Sequence, residues 1–400
     1  MRGILQLLVG SLLLFTSGCA ATPDWGRPLP DGAPALIPLE PGEPIPDVSS
    51  AWYERQQALE ALDRSRAWLE RKHSEKSYPI AGIDHDRALA SVVRLGELLR
   101  DSDDAAEFKA RVEQEFEFYK SAGWDGRGGG VLFTGYYTPI FDARTKPDAR
   151  FKYPLYAKPQ DLVRKEDGTV VWQLANGDEI GYPSRRTLEE TDLLQNRGLE
   201  LAWLEDPFDV YLCHVQGSAF LRVEGGEMLR LGYGGTNGHE YTSLAELLVK
   251  ADEIEKDHAG IPTLRAWADK HGDRLFDYTR RNERFTFFTK IEGTPHGSLD
   301  FPVEADYSLA TDKRLFPSAA PTLVEAAVST GTATGLRPVR RVMFDQDTGG
   351  GIRTAGRADI YMGVGDDAGE RAGRTKAEGQ LYYFFLRPEY VRIHVPRARP

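Results

Sequence analysis

The order of apolar and polar positions divides the chain into a helical part followed by a β-rich part. Apolar residues recur at helical spacing from Ala51 to about Lys72, and two further helices are predicted at about Asp84 to Arg100 and Asp104 to Ala122. After the glycine cluster at 126–130, apolar runs become short, rich in aromatic and β-branched residues, and bounded by turn residues. This pattern is typical of strands in a β-barrel or sandwich.

The β-rich part is interrupted once by a helical stretch. Strands are predicted at 131–134, 153–157, 170–172, 210–215 and 342–344, with a further strand around Ile360 and Tyr361. Between them, helices are predicted at about Ser243 to Glu255 and Thr263 to His271, extending toward Arg281, and a second β-rich region runs from Arg284 to Val395.

The first 19 residues are predicted to be an export signal. Arg2 precedes an apolar run, Ile4 to Phe15, that is too short to span a bilayer. Small residues then lead to Cys19, as in a bacterial lipoprotein processing site, so Cys19 is predicted to become the lipidated first residue. The alternative is an ordinary cleaved signal peptide and a soluble exported protein. Residues 20–48 are rich in proline and are predicted to form an extended tether.

Composition limits the function classes. The chain has 400 residues with 41% hydrophobic content, which favours two domains. Its net charge of -11 excludes a typical nucleic-acid binder, because phosphate neutralisation requires a concentrated basic face. With Cys19 lipidated, only Cys213 remains and no disulfide is predicted. An uncharged or weakly charged polymer is the better substrate prediction.

Candidate chemistry concentrates where the predicted strand 342–344 enters a glycine-rich bend. Asp345 and Asp347 lie on this bend, and Asp359 lies just before the next predicted strand. A carboxylate near a second carboxylate can have a raised pKa, as a general acid requires. Asp345 is interpreted as a turn cap or an exposed side chain. The alternatives are that these aspartates only cap turns, or that Asp345 and Asp347 form a hydrolytic pair.

Other site types lack support. The segment from Asp345 begins like a calcium loop, but the acidic ligand expected at its twelfth position falls on Gly356. The histidines show no zinc-ligand spacing, and a Gly-x-Ser-x-Gly motif is absent. No metal and no cofactor are therefore predicted.

Several motifs occur in the order of a known family. They lie at 134–139, 153–156, 182–186, 215–218, 232–239 and 282–288, followed by aspartate motifs at 310–317, 347–350 and 358–361. Together they resemble the membrane-bound lytic murein transglycosylase A family, including its C-terminal three-aspartate (3D) domain. The resemblance extends from about Val131 to Leu386.

The resemblance implies a mainly β, α+β fold. A double-psi β-barrel domain, assigned to 49–137 plus 285–400, would carry an inserted second β-barrel domain at 138–284, with several helices at the N-terminal side. A glycan strand would lie in the groove between the two domains.

The resemblance also implies an activity. The enzyme would be a peptidoglycan lytic exotransglycosylase, a carbon–oxygen lyase that cuts the β-1,4 bond between N-acetylmuramic acid (MurNAc) and N-acetylglucosamine (GlcNAc) and leaves a 1,6-anhydro end. The catalytic aspartate falls on Asp347, with Asp312 and Asp359 as supporting carboxylates. Asp359 is hypothesised to raise the pKa of Asp347. The implied location is the outer membrane of a Gram-negative bacterium, facing the periplasm, with a cell-wall synthesis or remodelling complex as a possible partner.

Substrate-binding candidates complete the prediction. Tyr136, Tyr137 and Tyr233 are candidates for stacking on sugars, and hydrogen-bonding or backbone-contact candidates are Thr134, Gln216, Gly217, Ser218 and Asn237. His214 stands where the family pattern favours an acidic residue. Two other functions stay open: a hydrolytic glycosidase on a related barrel, and a non-catalytic peptidoglycan-binding lipoprotein.

Overall fold

The structure is a computed structural model that describes residues 22–165, 167–256, 259–331 and 335–395. The predicted export signal and Cys19 lie outside the described residues. No helix in these four ranges combines the length and the apolarity that a membrane crossing requires.

Helices occur before, within and after the β-rich regions. Their bounds are α1 Ser50–Tyr53, α2 Arg55–Leu69, α3 His85–Asp101, α4 Ala105–Glu115, α5 Arg185–Glu190, α6 Pro207–Gln216, α7 Leu244–Lys250, α8 Ile261–Lys270, α9 Leu275–Thr279, α10 Asp366–Arg374 and α11 Pro388–His394. Short 3₁₀ turns lie at Lys72–Ser77 and Glu224–Gly226.

The strands form one large sheet and several smaller ones. Their bounds are β1 Leu36–Pro38, β2 Phe116–Ser121, β3 Val131–Thr138, β4 Ile140–Asp142, β5 Tyr153–Tyr156, β6 Leu162–Arg164, β7 Val170–Gln173, β8 Glu179–Gly181, β9 Glu200–Leu204, β10 Ala219–Arg222, β11 Met228–Thr236, β12 Thr286–Lys290, β13 Ser308–Ala310, β14 Pro321–Val328, β15 Arg337–Asp347, β16 Arg357–Val364 and β17 Lys376–Leu386.

Six strands close into a barrel. They pair in the order β17, β14, β15, β13, β16 and β3, and β3 pairs back onto β17. The β13–β15 and β16–β3 pairs are parallel, and the others are antiparallel. The barrel and the accompanying helices confirm the predicted α+β barrel class.

Apolar side chains fill the barrel and the space under its helices. Phe133, Leu323, Phe344 and Phe385 are fully buried, and burying each such side chain stabilises the fold by about 1.5–3 kcal/mol. Helix α3 starts where the Asp84 carboxylate accepts the Arg87 N–H at 2.7 Å, and its apolar stripe packs into the same core.

The predicted third helix is wrong beyond Glu115. Asp104 caps α4 by accepting the N–H groups of Ala106 and Glu107, but the chain leaves the helix at Phe116. Residues 116–121 instead form β2, which pairs antiparallel with β17. The alternation of aromatic and polar residues in this segment, together with a partner strand, overrides the helical spacing that continues from α4.

The insert has a second ring of strands. Strands β4, β10, β11 and β12 form one sheet, and β5 pairs with β9. Isolated bridges join the two pieces, Ala157 to Phe288 on one side and Arg144 to Trp203 on the other. Strand β12 pairs with β11, so it belongs to this sheet, and the predicted border of the insert at 284 stays a prediction.

The predicted strand at 210–215 is wrong, because these residues lie in α6. The Asp206 carboxylate accepts the Phe208 N–H at 2.8 Å, and Pro207 occupies the first turn. Gly217 ends the helix with φ of 75°, a left-handed conformation that favours glycine. These start and stop signals outweigh the β propensity of Val210, Tyr211 and Val215.

The proline-rich segment does not form a free tether from Trp25 onward. Strand β1 pairs antiparallel with β2, and Ala35, Leu36 and Val48 are buried. The Trp25 ring meets Trp124 edge-on, with ring centroids 6.4 Å apart. Proline favours extended backbone, and here that backbone lies against the folded body.

Candidate active site

Asp347 is held by three segments that meet at the end of β15. Its Oδ1 atom accepts the backbone N–H groups of Ser298 and Thr348, each at 2.8 Å. Its Oδ2 atom accepts the Tyr136 hydroxyl at 2.7 Å. Tyr136 lies on β3, so the barrel itself sets the position of this carboxyl group.

Burial raises the pKa of Asp347 above its ordinary value. The donors Tyr136, Thr348 and Ser298 and the charge of Lys313 act in the opposite direction, because they stabilise the carboxylate. Burial, and then the charge of Asp347, raise the pKa of Tyr136 well above its usual range. The phenol therefore keeps its proton at physiological pH.

Asp359 and Thr134 lie next to this group. The Thr134 hydroxyl donates to Asp359 Oδ1, and the Arg357 guanidinium lies 3.6 Å from the same oxygen. The largest cause of the raised pKa of Asp347 is its burial, so the predicted contribution of Asp359 to that pKa stays a prediction.

The interpretation of Asp345 as a turn cap or an exposed side chain is wrong. Asp345 is 0% exposed, and its carboxylate pairs with the Lys313 ammonium. Its other oxygen accepts the hydroxyls of Thr311 and Tyr383, each at 2.7 Å. Satisfying a buried carboxylate in this way is what allows it to remain inside a protein.

An irregularity in the strand separates Asp345 from Asp347. Leu309 and Ala310 are consecutive in β13, but they pair with Asp345 and Asp347, which are two residues apart in β15. Strand β15 therefore has one additional residue at this point. The additional residue, Gln346, is buried and donates to the Ala61 carbonyl at 2.6 Å. The two aspartates therefore have different surroundings, although a regular strand would place them on one face.

Asp312 lies after β13 and is buried. The Arg314 side chain donates to both of its carboxylate oxygens, at 2.8 and 2.5 Å. Asp312, Asp345 and Asp359 thus each face a cation, respectively Arg314, Lys313 and Arg357. Within the described ranges, Asp347 forms no ion pair, and its oxygens accept only neutral donors.

Some predicted substrate-binding residues lie together beside Tyr136. The Gln216 side-chain oxygen accepts the Tyr137 N–H at 3.1 Å, and the Ser218 and Thr138 hydroxyls are 2.9 Å apart. A Cβ atom on Gly217 would lie 3.8 Å from the Tyr233 ring. Tyr233 is 47% exposed, so it presents an open aromatic surface beside this group.

Two predicted binding residues are engaged within the fold. Tyr137 is buried in the main core, with its ring against Gly369 of α10. The Asn237 amide donates to the carbonyls of Pro183 and Glu283, and its oxygen accepts the Phe285 N–H. These three bonds tie the Asn237 side chain to the backbone of the fold, and its binding of sugar stays a prediction.

His214 is also buried. Its Nδ1 atom accepts the Thr286 N–H at 3.2 Å, and the Arg185 guanidinium lies 3.3 Å from the same atom. Burial and the charge of Arg185 hold the pKa of His214 well below its usual range, so this ring is neutral. The His214 side chain is part of the packed interior of the insert.

Sequence reasoning missed several groups around the site. Ser298 contributes a backbone N–H, which any residue other than proline offers, so its sequence carries no signal. Lys313 directly follows Asp312 within the aspartate motif, and this neighbouring position is the sequence feature that could have pointed to it. Among the described residues, no cluster of histidine, cysteine and acidic side chains is arranged to hold a metal ion.

Comparison with protein families agrees with this architecture. A model described as the MltA specific insert domain matches residues 132–289, and the 3D domain matches residues 307–385. The chain belongs to the lytic murein transglycosylase A family. The 3D match contains Asp312, Asp347 and Asp359, and the insert match contains Gln216 and Tyr233.

Named relatives within the lytic murein transglycosylase A family come from bacteria. The membrane-bound lytic murein transglycosylase A of Vibrio cholerae is 28% identical over 265 residues, which cover 65% of this chain and 67% of that protein. The protein of the same name from Escherichia coli K12 is also 28% identical, with the same coverage.

Solved structures share the fold. A membrane-bound lytic murein transglycosylase from Agrobacterium tumefaciens matches with a TM-score of 0.72 and 24% identity, covering 90% of this chain and 99% of that one. E. coli MltA with bound chitohexaose matches with a TM-score of 0.65 and 23% identity, covering 92% and 96%. These structures show the shared fold, and the two domain matches with the named relatives confirm the predicted family resemblance.

Proposed function

We propose that this lytic transglycosylase cuts the β-1,4 bond between MurNAc and GlcNAc in peptidoglycan and releases 1,6-anhydromuramyl products. Membership of the lytic murein transglycosylase A family supports the substrate class and the reaction class. The fold match to a chitohexaose-bound relative agrees with a polysaccharide ligand.

The observation that carries the single-acid mechanism is that one of the four carboxylates differs from the other three in its partners. Asp312, Asp345 and Asp359 each face a cation, whereas the partners of Asp347 among the described residues are all neutral donors. A hydrolase usually requires a second carboxylate as base or nucleophile. Here the neighbouring carboxylates are already engaged, which favours one residue acting as both acid and base.

The hydrogen bonds of Asp347 indicate which of its two oxygens carries the acidic proton. Oδ1 accepts two backbone N–H groups, so the acidic proton is carried by Oδ2, on the side of Tyr136. The raised pKa of Asp347 favours that protonated form. Tyr136, whose own pKa is raised, stays neutral beside it and orients the carboxyl group.

The reaction then needs no water. Oδ2–H gives its proton to the bridging oxygen as the C1–O bond breaks, and the C6 hydroxyl of the same muramic acid attacks C1. The Asp347 carboxylate takes the proton of that hydroxyl and returns to its starting state. Because the nucleophile is part of the substrate, intramolecular proximity replaces a positioned water.

Substrate contacts are proposed around the same group. Tyr233 offers its exposed ring for stacking on a sugar face, and Gly217 next to it leaves room for a sugar to approach the backbone. Gln216, Ser218 and Thr134 supply polar contacts, while Asp312 and Asp359 support the site through Arg314 and Arg357.

The proposed location is the outer membrane, facing the periplasm. The relatives are named membrane-bound, and the sequence around Cys19 is typical of a lipoprotein processing site. A lipid on Cys19 would anchor the protein. Association with a cell-wall synthesis or remodelling complex belongs to the same proposal.

Digestion of purified sacculi tests the proposed reaction. The protein lacking residues 1–19 is incubated with sacculi, and the soluble muropeptides are analysed by mass. Anhydro products are lighter than hydrolysis products by one water, so the two outcomes differ in mass. Asp347→Asn is expected to lower the rate by about 10²- to 10⁴-fold, the usual contribution of a general acid–base group.

A matched control separates chemistry from folding. Asp142→Asn changes an exposed aspartate of the insert that pairs with Arg222, and it should leave the rate unchanged. Products with reducing ends would show hydrolysis and contradict the anhydro mechanism. An Asp347→Asn variant with full activity would contradict the role of Asp347.

A further inference from the structure

Two arginines, Arg284 and Arg353, lie against the glycine loop that follows Asp347, and the charge of a third, Arg164, acts on Arg284. We call Arg164, Arg284 and Arg353 the arginine patch. Arg164 ends β6 and Arg284 precedes β12, both in the insert, whereas Arg353 follows the glycine loop of the barrel domain. The patch therefore joins the two domains across the catalytic end of the barrel.

Arg284 is the central member. Its side chain is half-buried. It lies close to the loop, since a Cβ atom on Gly350 would be only 3.1 Å from its Nε atom. Its Nη1 atom donates to the His239 carbonyl at 3.3 Å, and among the described residues no carboxylate forms an ion pair with it. A desolvated cation without a counter-ion is costly, and an anionic ligand offsets that cost.

The surroundings of Arg284 are mostly positive. Burial lowers its pKa, and the charges of Arg353 and Arg164 lower that pKa further. Tyr233 and Glu240 act in the opposite direction and raise it. Glu240 pairs instead with Arg353, at 3.1 Å, and its side chain is largely exposed. The patch thus keeps a net positive charge.

The position of the patch relates it to the substrate. Arg353 Nε donates to the Gly350 carbonyl at 2.9 Å, which places the patch three residues from Asp347 along the chain. The electrostatic contact between Arg284 and the exposed Tyr233 places it beside the proposed stacking surface. The patch would therefore lie near a muramic acid residue bound at Asp347.

We propose that the arginine patch, with Arg284 at its centre, binds a carboxylate carried by the muramyl side chain of the substrate. The proposal rests on the proposed function, because it assigns the charged part of that same polymer. The sugar rings are uncharged, so the anionic groups are on the lactyl substituent or on the stem peptide attached to it. Arginine suits a carboxylate because its planar guanidinium can donate two parallel hydrogen bonds.

Two sources of this carboxylate can be separated with three substrates. Intact sacculi carry stem-peptide carboxylates, while their lactyl groups are amide-linked. Strands treated with an amidase lose the peptide and expose lactyl carboxylates. The same strands after chemical amidation of those carboxylates are neutral.

Arg284→Gln is the test variant. We expect kcat/KM to fall by about 10- to 100-fold on a carboxylate-bearing substrate, as for loss of a hydrogen bond to a charged group, and to change less than about 2-fold on amidated strands. Loss on sacculi assigns the stem peptide, and loss on amidase-treated strands assigns the lactyl group. Arg284→Lys retains the charge and should recover part of the loss.

The controls separate recognition from folding. Arg150→Gln removes an exposed arginine of the insert that pairs with Glu205, and it should leave kcat/KM unchanged on all three substrates. An equal loss for Arg284→Gln on neutral strands, or no loss on any substrate, overturns this inference alone when the wild type is active. A wild type that is inactive on all three substrates overturns the proposed function.

Discussion

Lys313 forms an ion pair with Asp345 inside the barrel domain, and Asp345 precedes Asp347 by two residues. The Lys313 ammonium also lies 3.2 Å from the Asp345 carbonyl oxygen and 3.3 Å from the Thr311 hydroxyl. Burial lowers the pKa of Lys313, while the carboxylate of Asp345 raises it. The pair holds β15 to the segment after β13, and Asp347 lies at the end of that strand.

Breaking this pair should destabilise the protein. Asp345→Asn leaves a buried ammonium without a counter-ion, and we expect the free energy of unfolding to fall by about 3–5 kcal/mol. Chemical denaturation of the wild type and the variant measures the difference. An unchanged midpoint would contradict the structural role of the pair.

A double variant distinguishes the charge from the shape of the side chain. Asp345→Asn combined with Lys313→Met removes both charges, and we expect it to recover most of the lost stability. A double variant no more stable than the single one would show that the hydrogen bonds of Asp345 to Thr311 and Tyr383 dominate.

Tyr136→Phe should move the pH profile upward. The hydroxyl of Tyr136 stabilises the ionised form of Asp347 and so lowers its pKa, which burial otherwise raises. Removing that donor raises the pKa further, so the protonated acid persists to higher pH. We therefore expect the limb of kcat/KM that falls as pH rises to shift to higher pH.

Tyr361→Phe is the matched control for that measurement. The Tyr361 ring packs on Tyr136 with centroids 5.2 Å apart, but its hydroxyl faces Thr138 at 3.2 Å. Its removal should leave the falling limb in place. A downward shift in Tyr136→Phe would contradict the assignment of this limb to Asp347.

Gly297→Ala should impair catalysis by displacing Asp347. A Cβ atom at this position would lie 2.8 Å from the Gln346 carbonyl oxygen and 3.1 Å from the Asp347 carboxyl carbon. Relief of these contacts moves the Ser298 N–H away from the carboxylate. We expect kcat to fall at least about 10-fold, since misplacement of a reacting group by about 1 Å can cost 10²-fold.

Gly181→Ala provides the comparison. A Cβ atom on Gly181 would meet no neighbour within 4 Å, so that variant should match the wild type in rate and stability. Rates and thermal unfolding of both variants are measured together. Full activity in Gly297→Ala would show that the Ser298 contact is dispensable.

The sequence predicted the strands that carry the central side chains. Strands β3, β15 and β16 were recognisable because short apolar runs end at glycine-rich turns, and Tyr136, Asp347 and Asp359 lie on or beside them. Motifs in family order supplied the barrel architecture and the insert. Local pattern was sufficient wherever a strand and its turn agreed.

Long-range contacts decided the remainder. Asn237 is predicted to hydrogen-bond N-acetyl groups and ring hydroxyls, and its own segment does not reveal that backbone groups of 183, 283 and 285 bond to its side chain. For Asp345 the sequence predicts a turn cap or an exposed side chain, because the counter-ion and the strand irregularity that bury it are not visible in its own segment. Such pairings depend on which strands become neighbours.

The contact of Trp25 with Trp124 limits the distance between the enzyme and its proposed membrane anchor. The Thr354 hydroxyl donates to the Trp25 carbonyl at 2.7 Å, so attachment to the body begins there. Fully extended, the chain from Cys19 to Trp25 spans at most about 20 Å. A lipidated protein would therefore stay close to the membrane and reach only the layer of wall that lies nearest the bilayer.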